Sequence, residues 1–370
     1  MKEKKTLRLG FTTGACAAAA AKAACIQWLY SFNFISFEVA RNLLENKRVE
    51  IYFPDGQTRE LFINDLYFNS KDRISRAGII KDAGDDPDVT HGALIAAEVV
   101  LSEDEKEEVQ IKGGEGVGIV TRPGLPIGVG DHAINPVPRL MIEKAVREAM
   151  SVSGFKGKAF VTIHVPEGKY LSKKTLNPRL GIVNGISILG TTGIVKPLSS
   201  EAYAESIALQ LKVARATNVQ EVVISTGRSS EKAHMNLFNY PEQSYILGGN
   251  LIDYSVYEAK RIGFTKIVIA TQFVKLLKMS EGFSSTHSSY VGFDPCRWAS
   301  LVGTSIPYEF NTGRELFFHI LSMGTNGKKF LEDLCRKVAK IFSERYGILV
   351  SVKLFDYKGP LVAEGGSEDE

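Results

Sequence analysis

Glu221-Val-Val-Ile-Ser-Thr-Gly-Arg-Ser-Ser230 is a run of apolar, mostly β-branched residues that breaks on a threonine-glycine turn and reopens on a polar stretch. That is the pattern of a buried strand feeding a helix. The alternation recurs on both sides. Ile186-Ser-Ile-Leu-Gly190 reads as a buried strand closed by the turn Thr191-Thr-Gly193, and residues 199–216 read as a long helix opened by a serine cap. Tyr245-Ile-Leu-Gly-Gly-Asn250 opens a helix to Arg261, residues 264–270 form a further strand, and a helix over 328–345 precedes the strand 348–353. Strands that alternate with helices predict a parallel sheet with right-handed crossovers. Ligands of such sheets sit at the strand carboxyl ends. Three loops are expected there: Gly190, Thr191, Thr192 and Gly193; Thr226 and Gly227; and Gly248, Gly249 and Asn250. Neither a Gly-x-Gly-x-x-Gly fingerprint followed by an acidic residue nor a phosphate-loop lysine signature is present, so the loops point to a nucleoside-type ligand outside the standard dinucleotide and P-loop sites.

Upstream, the connector 167–184 is rich in Gly, Pro and Lys and marks a domain boundary. Before it the chain changes character. Residues 6–30 read as a short strand, the turn Gly10-Phe-Thr-Thr-Gly14 and an alanine-rich helix to Trp28. The first turn of that helix, with Thr12, Thr13 and Gly14, has anion-binding geometry if a ligand reaches it and is otherwise an ordinary threonine cap. A hairpin is expected over 48–62 about Pro54-Asp55-Gly56, and a strand over 78–82. The latter ends on Lys81-Asp-Ala-Gly-Asp-Asp-Pro-Asp-Val-Thr-His-Gly92, a loop carrying Asp82, Asp85, Asp86, Asp88 and His91. Four carboxylates in seven residues repel one another unless donors or cations offset them. Asp88 or Thr90 reads as the N-cap of an apolar helix beginning at Gly92. The glycine-rich stretch 109–128 suggests strand, turn and strand, and a helix over 140–150 and a strand over 158–166 follow.

The predicted fold is therefore mixed α/β and α+β. Residues 1–180 form an α+β domain with a mixed sheet and glycine-rich and acidic loops. Residues 181–362 form a Rossmann-like α/β domain with a mostly parallel sheet, and the acidic tail 363–370 is expected to be disordered. A chain of 370 residues that is 44% hydrophobic has ample material for two cores. Its 45 basic and 42 acidic residues leave a formal charge of +3, with no global basic face for nucleic acid. The charged start resembles a signal n-region, but Lys22 interrupts the alanine run behind it, so the expectation is a cytoplasmic protein without a membrane span. Cys16, Cys25, Cys296 and Cys335 are scattered, which argues for buried thiols. No histidine spacing calls for a metal, so no protein-bound metal is expected.

Four stretches together resemble one family. They are Gly10-Phe-Thr-Thr-Gly-Ala-Cys-Ala-Ala-Ala-Ala-Ala-Lys-Ala-Ala24, the acidic loop 81–93, Gly113-Gly-Glu-Gly-Val-Gly118 with Asn135-Pro-Val-Pro-Arg139, and Asn177-Pro-Arg-Leu-Gly181 with 185–197. In this order they look like the CbiD family, the cobalt-precorrin-5B (C1)-methyltransferases of anaerobic cobalamin biosynthesis. The second half is similar more loosely, through a lysine-rich segment over 268–288, with Asn184, Gln272 and Phe273 as departures. The resemblance implies methyl transfer from S-adenosylmethionine to C1 of a cobalt-containing, ring-contracted tetrapyrrole, with the cobalt arriving on the substrate. Gly190, Thr191, Thr192, Gly193, Thr226, Gly227, Gly249 and Asn250 are then the candidate cofactor residues. The substrate's acid arms need cations or helix-end donors, for which Thr12, Thr13, Gly14, Lys112, Arg122, Arg139, Arg179 and Lys196 are the candidates. A carboxylate raised by its neighbours, or a histidine, can accept a ring proton, which makes Asp82, Asp85 and His91 the candidate catalytic residues. The other expected classes are a non-catalytic tetrapyrrole carrier and a Mg²⁺-dependent phosphoryl-transfer enzyme. For the methyltransferase, the expected partners beyond the tetrapyrrole substrate are a second copy of the chain or other pathway enzymes in transient hand-over.

Overall fold

Helix α1 (Thr13–Ser31) is buried on all sides through its alanine run: Ala15 to Ala21, Ala23, Ala24 and both Cys16 and Cys25 have no exposed surface. Alanine has no bulk beyond Cβ, so neighbouring backbones can close on it from several directions. The structure, a computed structural model, describes residues 7–103, 106–287 and 311–368. They fall into two units, Met1–Ser199 and Ser200–Glu370.

In the first unit α1 follows the two-residue strand β1 (Gly10–Phe11) and precedes α2 (Phe37–Leu44). The hairpin β2 (Arg48–Tyr52) and β3 (Thr58–Phe62) turns at Gly56, as expected. The main sheet holds β4 (Asp65–Asn69), β5 (Ile74–Ile80), β6 (Leu94–Glu103), β7 (Glu108–Gly113) and, after β8 (Ile119–Val120) and α3 (Pro136–Ser153), β9 (Gly157–His164). Its order is β4-β5-β6-β9-β7, antiparallel except for the parallel β7-β9 pair. Helices α1 and α3 pack together, and α1 lies on β5 and β6. A short helix α4 (Gly168–Leu171) and the strands β10 (Ile182–Val183) and β11 (Ile194–Val195) complete the unit.

Two expectations change here. The segment after the acidic loop is the strand β6, not a helix. Ile95, Ala97, Val99 and Leu101 alternate into the core with the period of two that a strand requires. Residues 186–190 do not enter the second sheet. Ile186 bridges Val117 and Ile188 bridges Ile134, while β10 pairs with β8 and β11 with β1. These pairings hold 182–195 in the first unit, so the two units divide after Ser199 and not at the connector near residue 180.

The second unit contains α5 (Ser200–Ala216), β12 (Glu221–Ser225), α6 (Arg228–Leu237), β13 (Tyr245–Leu247), α7 (Ile252–Ile262), β14 (Lys266–Thr271) and α8 (Phe273–Ser280). Helices Gly313–Ser322 and Thr325–Tyr346 then lead to β15 (Leu349–Phe355) and β16 (Leu361–Gly366). The sheet order is β13-β12-β14-β15-β16, with the first four strands parallel and β16 antiparallel. Val222 and Ile224, Ile267 and Ile269, and Val350 and Val352 pack into the larger core, while Val223 and Val268 pack into a smaller one. Both faces are covered, which is why these strands read as continuous apolar runs. Residues 363–366, expected in a disordered tail, belong to β16. Cys16, Cys25 and Cys335 are free and buried, and Cys296 lies outside the described residues. Among the described residues no helix is long and apolar enough to cross a membrane.

Candidate functional site

The acidic loop packs backbone against backbone on the chain entering β1. Phe11 N–H donates to Asp82 O at 2.8 Å and Asp85 N–H to Arg8 O at 3.0 Å. A Cβ on Gly10 would stand 2.1 Å from the Ala83 carbonyl carbon, and one on Gly84, whose φ is +67°, would stand 2.2 Å from Arg8 O. Only glycine fits at these two crossings. The carboxylates then serve this junction. Asp82 takes a bidentate pair from the Arg8 guanidinium, and Asp85 accepts the Arg8 N–H at 2.8 Å. Asp86 accepts the Leu198 N–H at 2.9 Å, and Asp88 pairs with the buried Lys81 at 2.7 Å while accepting the N–H and hydroxyl of Thr90.

These partners reverse the expected electrostatics. The hydrogen bond from Arg8 holds the Asp82 carboxyl below its ordinary range. Burial pushes the Asp88 carboxyl up, but the charge and hydrogen bond of Lys81 and the donors of Thr90 outweigh it, and the net shift is downward. A carboxylate held down is a poor proton acceptor. The exposed ring of His91 accepts the Ala83 N–H at Nδ1, 3.1 Å away, so a neutral ring presents a protonated Nε2 and no free basic atom. The geometry of Asp82 and His91 thus opposes the general-base role, and Asp85 is engaged with Arg8.

Similar occupation meets the first turn of α1. Gly14 N–H donates to Leu189 O at 3.0 Å and Ala15 N–H to Thr12 Oγ1 at 3.2 Å. Thr13 Oγ1 accepts the Leu189 N–H at 2.9 Å. The chain itself fills the predicted anion site, and Thr12 and Thr13 are buried. Gly190 and Gly193 are packing positions: a Cβ on Gly190 would stand 2.4 Å from Thr12 Oγ1, and one on Gly193 would stand 2.6 Å from the Phe53 ring. Thr191 and Thr192 are exposed beside them, with Thr192 Oγ1 closing a local turn on Ile194. Gly190 to Gly193 therefore do not share a sheet edge with Thr226 and Gly249.

The predicted basic residues are engaged in different ways. Arg139 is spent on the backbone, donating to Ile134 O and Ile111 O at 3.1 Å each. Arg122 donates to Arg179 O at 2.9 Å, which joins those two residues beside the β8-β10 pair. Lys112 and Lys196 are exposed, one on β7 and the other just after β11.

In the second unit the remaining two loops do meet. The chain leaves β12 towards β13 and leaves β14 towards the opposite neighbour β15, so a topological switch point lies between the carboxyl ends of β12 and β14. There Thr226 N–H donates to Ala270 O at 3.0 Å and Thr226 Oγ1 to Thr271 Oγ1 at 3.1 Å. Gly248 and Gly249 N–H both donate to Ser225 O, at 3.0 and 3.1 Å. Gly227, at the start of α6, faces open space: a Cβ there would meet nothing within 4 Å. Asn250 is turned to Thr286, accepting its N–H at 3.2 Å and its hydroxyl at 3.3 Å.

Two lysines of α8 tie these pieces together, and neither was among the predicted site residues. Lys275 Nζ donates to Thr226 O at 2.5 Å and to Gly249 O at 3.0 Å, and Lys278 Nζ to Thr286 O at 3.1 Å. Burial, with a smaller contribution from Lys278, lowers the Lys275 ammonium to about 8. Their spacing of three on an amphipathic helix was the available signal, but on sequence alone such a pair reads as a solvated face. A cavity of about 370 Å³ among Glu221, Lys266, Leu349 and Glu364 lies at the other end of the strands, away from these turns.

Comparison with known proteins bears on both units. The CbiD family model matches residues 1–197. A cobalt-precorrin-5B C(1)-methyltransferase of Desulfotalea psychrophila is 40% identical over 92% of this chain and 95% of its own. One from Priestia megaterium is 42% identical over 79% of this chain and 76% of its own. A crystal structure of a cobalamin biosynthesis protein from Archaeoglobus fulgidus is 28% identical and covers 74% of this chain and 79% of that one, with a TM-score of 0.37. On the strength of the sequence matches, which run through the glycine crossings, the acidic loop and the parallel sheet alike, the chain belongs to the CbiD family.

Proposed function

We propose that the protein transfers a methyl group from S-adenosylmethionine to C1 of cobalt-precorrin-5B, in the cytoplasm, as one step of cobalamin biosynthesis. The observation that carries this reading is the relatedness over nearly the whole chain to enzymes named for that reaction. The second unit is read as a Rossmann-like domain holding the cofactor, and the first as the domain that meets the tetrapyrrole.

The residues at the β12-β14 switch point fit S-adenosylmethionine. Gly227 leaves open space where any side chain would intrude, and the first turn of α6 behind it offers backbone N–H groups suited to a carboxylate. Thr226, Gly227 and Gly249 are the positions that would hold the cofactor, with Asn250 bracing the edge through Thr286. When bound, the cofactor supplies an electrophilic methyl group that needs no metal. The chain's own contribution is to bind, orient and exclude water, which supplies much of the rate of a displacement between two held partners. The exposed Lys112 and Lys196, with Arg122 and Arg179, are read as the cations that meet the substrate's carboxylates. Thr12, Thr13, Gly14, Arg139 and the acidic loop are read as structural.

The test is equilibrium titration of the purified chain with S-adenosylhomocysteine, followed by turnover with the cobalt-tetrapyrrole. Saturable binding and a product heavier by one methyl group are expected. Tetrapyrrole binding with neither would favour a carrier.

A further inference from the structure

Helix α8 spends two ammonium groups on backbone carbonyls, an unusual use for lysines that are largely or wholly withdrawn from water. Lys278 is 4% exposed, and Lys275 is half-buried with its Nζ between two turns. A methionine or leucine would pack in either place without a charge to desolvate. The function of the charge must lie in what it holds. Thr226 O and Gly249 O belong to the turns after two neighbouring parallel strands, β12 and β13, and both turns lead into helices. Each turn is also tied from the sheet side, through Ala270 O for Thr226 and Ser225 O for Gly248 and Gly249. Lys275 supplies the one side chain seen to join the two turns directly, among the described residues. Charge-assisted bonds to both carbonyls fix the orientation of the peptide planes, and with them the direction in which the intervening N–H groups point.

We propose that Lys275 is a positioning residue for the methyl donor, setting the spacing and the peptide orientation of the Thr226-Gly227 and Gly249-Asn250 turns so that both engage one nucleoside ligand. The inference rests on the reading of these turns as the S-adenosylmethionine site. It adds a residue that acts through the backbone and touches no ligand itself.

The test is binding of S-adenosylhomocysteine, read by calorimetry, to the full-length protein and to its Lys275→Met and Lys275→Gln variants, with thermal unfolding measured alongside. Lys275→Met is expected to weaken binding by about tenfold or more, the scale of losing two charge-assisted bonds. Lys275→Gln, which keeps a donor, is expected to recover part of the loss. In turnover the KM for the methyl donor rises while kcat at saturating donor changes by less. Unaltered binding by Lys275→Met, within about twofold, overturns the proposal while leaving the cofactor site in place. Absence of binding by the unaltered protein overturns the site itself. Should both variants fail to fold, lysine acetylation of the unaltered protein decides. Saturating S-adenosylhomocysteine is expected to slow labelling of Lys275 at least about threefold and leave the exposed Lys212 unchanged, and equal labelling of Lys275 with and without ligand overturns the proposal.

Discussion

Lys81 is a large side chain buried to 1% exposure, and its ammonium meets Asp88 at 2.7 Å. Removing one member of such a pair strands the other in a medium that solvates it poorly. Asp88→Asn is therefore expected to cost about 3 to 5 kcal/mol, read as a lowered urea midpoint, and an unchanged midpoint would show that the pair is dispensable. The carboxylates of the loop were visible in the sequence, but their partners were not. Arg8 lies 74 residues from Asp82 and Leu198 lies 112 from Asp86, and no local pattern predicts such meetings. A cluster that looks electrostatically costly in one dimension is satisfied, group by group, in three.

At the scale of elements, the βα rhythm of the second unit was legible because each parallel strand is an unbroken apolar run bounded by glycine turns. The strand β6 was not, because small residues at Ala93, Ala96 and Ala97 suit a helix, and the period-two burial of Ile95, Val99 and Leu101 is set by α1 lying over it. The turn after Leu189 was misplaced for a related reason. Its glycines read as a ligand loop, whereas they are where the chain crosses the first turn of α1. Gly190→Ala tests this. With φ at +132° and only 2.4 Å to Thr12 Oγ1, the added methyl is expected to cost about 2 to 4 kcal/mol through strain and overpacking. Thermal unfolding would report it, and affinity for S-adenosylhomocysteine in the folded fraction is expected to stay unchanged. A selective loss of affinity without a loss of stability would restore Gly190 to the cofactor.

For the molecule as a whole, the two units carry different titrating groups and should part company in acid. His234 is fully buried, its ring tilted against Phe238 and edge-on to Tyr240 and Tyr245, and burial, with a smaller push from Lys353, lowers its imidazole to about 4. In the unfolded chain the same ring titrates near its ordinary value of 6.5. The unfolded form thus binds the extra proton first, and the second unit loses stability as the pH falls from about 6.5 towards 4. In the first unit Asp82 and Asp88 lie below their ordinary value of 3.8 when folded. Their contribution is complete above that value and is lost only as the pH falls through the lower folded values. Hydrogen exchange across an acid series should therefore show α6 and β13 opening before β5 and β6, and the opposite order would contradict the assignment of a neutral buried His234. The glycine turns at 226–227 and 248–250 were identifiable from the sequence. Lys275, which joins them, was not, since its burial is created by those loops and not by its neighbours in α8.

Leu189 N–H donates to Thr13 Oγ1 across 176 residues of chain, and this has a consequence for how the protein comes into being. Helix α1 is synthesised before Leu189, the partner its first turn meets, which lies near the far end of the same unit. At a synthesis rate of about 5 to 20 residues per second, that leaves an interval of roughly 10 to 35 seconds. A leucine-rich helix left waiting so long would present a broad greasy surface to every other nascent chain. The alanine run presents little, because each methyl group gains only weakly from burial. The composition that lets α1 be enclosed from all sides at the end is also one that can stand unenclosed at the beginning.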